Sequence, residues 1–220
     1  MLAWLKRCLL TRQKQKLKEP AFDFIFTKSV PGSYVSFDCE TTGLDPKKDR
    51  IISLSAIKIQ KNQILTSQSL NVLIKQDDLI APDSIVVHHI RNVDIVEKES
   101  SSVRLLTEKQ ALKEFLAFIK GSTLVGYYLE FDVAMVNQII KPWLGVKLPN
   151  RQIEVSALYY DHIVRLTKRS GQPGFQQPNI DLTFDQILHT LKLPNLGQHD
   201  AFSDALMTAL VFVKLQQDSL

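Results

Sequence analysis

Beyond Ser33 the chain turns from an irregular, charged leader to short spans in which apolar positions alternate or cluster: Tyr34 to Asp38, Ile51 to Gln60 with Ile52, Leu54 and Ala56 alternating, and Ile64 to Ile74. Patterning with a period of two predicts strands, and the polar pair Lys61-Asn62 between the last two predicts a tight hairpin. The period then lengthens. Leu112, Phe115, Leu116 and Ile119 recur at helical spacing, with Gly121 placed to cap the C-terminus. A short apolar strand, Thr123 to Tyr127, comes next. The spacing then predicts helices over Phe131–Ile140, stopped by Pro142, and over Ile153–Leu166, Leu182–Leu191 and Ala201–Leu215. Residues Arg169 to Asn179, rich in Gly, Pro and Gln, read as an exposed loop. Three leading strands followed by alternating strand and helix indicate an α/β domain with a mixed sheet. Residues 31–220 form one domain, because no interior linker is both long and compositionally distinct.

Residues 1–30 stand apart as a basic extension. Leu2, Leu5 and Leu9 lie at helical spacing within Met1 to Lys18, which predicts a helix packing its leucines on the main domain. A nucleic-acid arm and a membrane-surface helix are the competing readings. The segment is too interrupted by charge for a secretory signal, and no apolar run approaches the roughly 18 residues that span a bilayer. With 45% hydrophobic residues in a chain of 220, there is material for a well-buried core.

Charge qualifies the pI near 9.0. Residues 1–20 hold Lys6, Arg7, Arg12, Lys14, Lys16 and Lys18 against Glu19, a local +5, whereas the other 200 residues carry 21 basic and 22 acidic side chains. The main domain is therefore not globally basic, so a polyanion must be met by a local patch, by metal ions or by the N-terminal arm. Cys8 and Cys39 lie far apart in sequence. Cysteine usage of this kind argues against a structural disulfide and for a reducing, cytoplasmic compartment.

Chemistry concentrates in acidic residues. In Phe37-Asp38-Cys39-Glu40-Thr41-Thr42-Gly43-Leu44 the strand alternation aims Asp38 and Glu40 at one place and Cys39 at the other side. Two carboxylates held that close repel unless a proton or cation intervenes, which suits a divalent metal. Asp132 follows Phe131 where a helix begins after the short apolar strand. Asp204 lies in the first turns of the last helix, behind His199-Asp200-Ala201-Phe202-Ser203, with Asp200 placed to cap that helix and His199 just outside it. Gly43 reads as a position of unusual backbone angle and close approach beside the metals. His162 and His189 fall on helical stretches and read as structural.

The order Asp38-x-Glu40-Thr-Thr-Gly-Leu, Phe131-Asp132, His199-x-Ala201-x-x-Asp204-Ala205 resembles the three motifs of the DEDDh 3′-5′ exonucleases. That family includes the proofreading (epsilon) subunit of bacterial replicative polymerase, ribonuclease T and oligoribonuclease. The motifs run from position 38 to 205. The histidine stands five residues before the final aspartate, as in the DEDDh branch; the sister branch has a tyrosine four before it, where this chain has Asp200.

The resemblance implies a ribonuclease H-like mixed five-stranded sheet flanked by helices. It implies Asp38, Glu40, Asp132 and Asp204 around two Mg²⁺ or Mn²⁺ ions, with His199 as general base. An imidazole with a pKa of about 6.5 is largely neutral at pH 7 and able to take a proton. By the same resemblance Thr41 and Thr42 would receive the terminal 3′ hydroxyl and Leu44 would wedge the last base. Phe131, with Tyr127 or Tyr128, would form an aromatic floor that stacks any base. His88 and His89 resemble a substrate-side turn, and His89 is taken as the substrate residue. Two departures stand out: Tyr127-Tyr128 replaces the His-Asn of many relatives, and Glu154 stands where relatives often place an aspartate, as a candidate to support the site from behind.

The expected function is a metal-dependent 3′-5′ exonuclease releasing nucleoside 5′-monophosphates, acting on DNA rather than RNA, in proofreading or repair. The alternatives are an RNA exonuclease of the ribonuclease T or oligoribonuclease type and a non-catalytic polymerase-associated module. A DNA polymerase or other protein partner would dock through the N-terminal extension.

Overall fold

The computed structural model describes residues 10–76, 86, 90, 103–169, 179–197 and 199–218. Residues 10–14 are helical, and a 3-10 helix spans Pro20–Phe26. The strands are β1 (Ser33–Thr41), β2 (Ile51–Gln60), β3 (Gln63–Ile74), β4 (Arg104–Leu106), β5 (Thr123–Gly126) and β6 (Gln152–Glu154). The helices are α1 (Glu108–Phe118), α2 (Leu129–Leu144), α3 (Val155–Arg169), α4 (Phe184–Thr190) and α5 (Ala201–Gln217). One sheet of order β4-β3-β2-β1-β5-β6 holds all six strands among the described residues.

The expected meander is present. β1 and β2 pair antiparallel, as do β2 and β3, and Gln60 faces Gln63 across a two-residue turn in which Lys61 takes a φ of 56°. The ribonuclease H-like α/β expectation holds with one correction: the sheet has six strands, not five. Its two outermost strands, β4 and β6, are three residues each, too short to leave a period in the sequence; they form because parallel neighbours offer unpaired backbone, Val72 facing Arg104 and Gly126 facing Glu154. β6 also takes the start of the predicted helix at Ile153, so α3 begins two residues later, at Val155.

Helices cover both faces. One core gathers Val35, Phe37, Cys39, Leu54 and Val72 against α1 and α2, with Phe37 and Phe115 ring centroids 4.9 Å apart. The other gathers Val125, Tyr159, Ile187, Met207 and Phe212 from β5, α3, α4 and α5. Because Cys39 belongs to the first core, Asp38 and Glu40 face the α5 side, as alternation requires.

α2 runs past Pro142, which the sequence pattern made its stop. The proline sits in the last turn, and the exposed carbonyls there are met by Lys18, whose Nζ donates to Pro142 O at 2.9 Å and whose N donates to Leu144 O at 2.9 Å. Phe22 and Ile25 of the leader are buried in the first core, and the Phe22 and Trp143 rings meet edge-on at 4.8 Å. Residues 1–9, with Leu2, Leu5, Leu9 and Cys8, lie outside the described residues, as do 170–178 of the expected loop.

Candidate active site

β1 and β5 are parallel, so their C-terminal ends point to the same edge of the sheet, where ligands of open α/β sheets bind. β1 ends there with Asp38 and Glu40, and β5 ends at Gly126, from which the chain turns into α2 and Asp132. α5, packed across β1, β2 and β5, brings Asp204 in its first turn. A register shift between Glu40 and Thr41 bends the strand at the acidic pair, as bulges do beside functional sites.

Carboxylate oxygens of Asp38, Glu40 and Asp204 lie within 4.8 Å of one another. Asp132 stands beside them, buried, with its Oδ1 accepting from Cys39 N at 3.2 Å, between the two acidic residues of β1. Asp204 Oδ2 accepts from His199 N at 2.9 Å, while Oδ1 is buried with no hydrogen-bond partner among the described residues. Asp200 caps α5 by accepting from Ser203 N at 3.1 Å. His199, exposed and just ahead of the cap, has a φ of 67°. Asp38, Glu40, Asp132, His199 and Asp204 line a cavity of about 460 Å³ with Leu44, Tyr127, Tyr128, Glu130, Phe131, Phe184 and Thr208.

Crowding of like charges away from water shows in the protonation equilibria. Burial, then Asp132, Glu40 and Asp204, push the Asp38 carboxyl well above the usual carboxylate range. Burial, then Asp204 and Asp200, raise Glu40 to about 7. Burial raises Asp132, although the Cys39 amide opposes the shift. Asp204 rises to about 6 through burial, opposed by the His199 amide and the His199 charge. A divalent cation relieves such a cluster better than protons do, and the all-oxygen donor set with one unpartnered buried oxygen fits a hard cation.

The remaining sequence candidates separate. Leu44 stands 86% exposed at the cavity mouth, and Tyr128 is exposed beside it. Phe131 is half-buried between cavity and core. Tyr127 stacks on Phe184, with ring centroids 4.6 Å apart, and meets Tyr128 edge-on at 4.6 Å, so both tyrosines join one aromatic wall. Thr41 and Thr42 brace the turn: Thr41 Oγ1 donates to Gly43 O at 2.7 Å and Thr42 Oγ1 to Asp49 Oδ1 at 3.0 Å. Gly43 does not take a left-handed backbone; the close approach expected of it is the one to Asp49, since a Cβ would lie 2.6 Å from Asp49 Oδ2. His88 and His89 lie outside the described residues. His162 is buried in α3.

Three lining residues, Glu130, Phe184 and Thr208, escaped the sequence reading. Phe184 carries no local signal beyond following the Thr183 cap of α4. Thr208 sits one helical turn beyond Asp204, a spacing that could have found it.

A family model described as an exonuclease, RNase_T, matches residues 35–212, and the chain belongs to this exonuclease family. The DNA polymerase III subunit epsilon of Aquifex aeolicus is 25% identical over 189 residues, covering 86% of this chain and 83% of that protein. The PolC-type DNA polymerase III of Thermotoga petrophila is 30% identical over 182 residues, covering 83% of this chain but only 12% of that protein. In fold, the chain is similar to E. coli Exonuclease I in complex with a dA16 oligonucleotide, with a TM-score of 0.66, 15% identity, 85% of this chain and 41% of that one. The protein is thus a nucleic-acid-degrading exonuclease on a ribonuclease H-like sheet.

Proposed function

We propose that the protein is a 3′-5′ exonuclease that hydrolyses the terminal phosphodiester of a DNA strand and releases nucleoside 5′-monophosphates. The observation that carries this is the convergence of Asp38, Glu40 and Asp204 oxygens within 4.8 Å, next to buried Asp132, in a cavity that His199 also lines. Asp38, Glu40, Asp132 and Asp204 would hold two Mg²⁺ or Mn²⁺ ions. Bound there, such ions would supply Lewis-acid chemistry, lowering the pKa of a water and neutralising charge on the phosphate.

The chain's own residues do the rest. His199 takes the proton of the attacking water on an unprotonated imidazole nitrogen as the water oxygen bonds to phosphorus and the P–O3′ bond breaks. Its backbone N–H, bound to Asp204 Oδ2, ties the base to the acidic cluster. Leu44, Phe131 and the Tyr128–Tyr127–Phe184 wall offer apolar and aromatic surface, which stacks bases without reading their sequence. Thr41, Thr42 and Gly43 act by shaping the turn that presents Leu44.

DNA is favoured over RNA by similarity to the epsilon subunit and to a DNA-bound Exonuclease I. Similarity to the epsilon subunit of a DNA polymerase III supports a proofreading or repair role, a cytoplasmic setting and association with a polymerase. The test is degradation of matched 5′-labelled single-stranded DNA and RNA with Mg²⁺, Mn²⁺ or EDTA, wild type beside His199→Ala. A metal-dependent ladder shortening from the 3′ end, faster on DNA and lost in the variant, is expected. Faster loss of RNA would select the ribonuclease reading, and binding without cleavage would select a non-catalytic module.

A further inference from the structure

α2 delivers Asp132 to the acidic cluster, yet its own N-terminus carries no cap. The N-cap residue is Tyr128, held at φ 54° and ψ 33°, and its side chain makes no capping hydrogen bond. A helix normally meets those free N–H groups with a Ser, Thr, Asp or Asn just ahead of it. Here the acceptor comes from another element. Glu154, the last residue of β6, accepts from Leu129 N at 3.0 Å through Oε2. Its other oxygen, Oε1, accepts from Ser156 N at 3.1 Å and Ser156 Oγ at 2.8 Å, so the carboxylate is itself held in place.

Leu129 is pinned from a second side. A Cβ on Gly126 would lie 2.7 Å from Leu129 Cδ1 and 2.8 Å from its Cβ, so the leucine rests on bare β5 backbone. Three residues further along α2, Asp132 reaches β1 and accepts from Cys39 N. The first turn of α2 is therefore fixed at Leu129 by Glu154 and at Asp132 by β1, with Tyr128 just ahead of it.

We infer that Glu154 is a positioning residue of the active site, capping α2 from β6 and thereby setting where Asp132 stands relative to Asp38, Glu40 and Asp204. This rests on the metal-dependent reading above. Loss of such an outer contact weakens metal binding by about 10–100-fold in other sites. A charged acceptor at a helix N-terminus is also favoured by the helix dipole, so glutamine should keep the bond and lose only the charge.

The experiment is calorimetric titration of Mn²⁺ into the intact protein and its Glu154→Ala, Glu154→Gln and Asn137→Ala variants, with melting temperature and single-stranded DNA turnover measured in parallel. Asn137 Oδ1 accepts from Leu148 N at 2.8 Å further along α2, so its loss destabilises the helix away from Asp132. Expected is Mn²⁺ affinity at least about tenfold weaker in Glu154→Ala, restored to within threefold of wild type in Glu154→Gln and unchanged in Asn137→Ala. Saturating Mn²⁺ should return most of the lost turnover. A folded Glu154→Ala protein that binds Mn²⁺ as wild type does, or an Asn137→Ala loss of equal size, overturns the inference. Should the alanine variant fail to fold, Glu154→Ser, too short to reach Leu129, takes its place under the same criteria. A wild type that binds no Mn²⁺ and degrades no DNA would overturn the metal-dependent reading itself, whereas a normal wild type with an unaffected variant overturns only the cap.

Discussion

Replacing Glu40 by glutamine should stabilise the metal-free protein while abolishing its turnover. Glu40 is buried, and its carboxyl rises from 4.5 to about 7 through burial and the charges of Asp204 and Asp200. In the unfolded chain the proton leaves near 4.5; in the folded chain it stays until about 7. Between those values the folded state binds more protons, so stability falls as pH rises through the window, and above it the whole penalty remains. A displacement of that size is worth about 3 kcal/mol. For a domain of this length each kcal/mol moves Tm by about 2–4 °C, so Glu40→Gln should melt about 6–12 °C above wild type at pH 8.5 in EDTA. At pH 4.5 the two should nearly coincide. Millimolar Mn²⁺ should narrow the gap by stabilising wild type alone, because ligand binding to the folded state adds to its stability. Thermal melts followed by circular dichroism at the two pH values, with and without Mn²⁺, give all four numbers. A Glu40→Gln protein melting at or below wild type at pH 8.5 in EDTA would refute the argument that carboxylate crowding, held in place by the rest of the fold, costs stability.

Other outcomes follow from the same geometry. His199→Ala should fold and bind Mn²⁺ normally while turnover falls by about 10²–10⁴-fold, measured as release of nucleotide from labelled DNA. Leu44→Ala, at an exposed position, should leave Tm unchanged and raise KM for single-stranded DNA; an unchanged KM would remove Leu44 from the substrate surface. Gly43→Ala drives a Cβ onto Asp49, whose carboxylate is already held by Thr42 Oγ1 and Asp45 N, so unfolding in urea should show a loss of about 1–3 kcal/mol. Asp200→Ala removes the α5 cap and should cost about 0.5–2 kcal/mol by the same assay.

Local patterns carried much of this protein. Alternation along β1 places Asp38 and Glu40 on one side and Cys39 in the opposite core, because a strand has no other way to arrange neighbouring side chains. The cap at Asp200 and the five-residue step from His199 to Asp204 are likewise local, and the His199 N–H bond to Asp204 is their direct product. The meander through β3 and the helices with clear period needed no knowledge of their neighbours. Where strength came from partners across the chain, the pattern was silent. β4 and β6 exist only because parallel strands offer backbone to pair with, and α2 passes Pro142 because Lys18 satisfies its last carbonyls. Gly43 read as a place of unusual angle or close approach, and only the position of Asp49 shows that bare space is what the turn requires. Phe184 joins the aromatic wall from beyond the loop, and Glu154 caps a helix 25 residues before it. Periodicity records which face of an element avoids water; it does not record which distant group meets an unpaired N–H, and that pairing is decided when the elements pack.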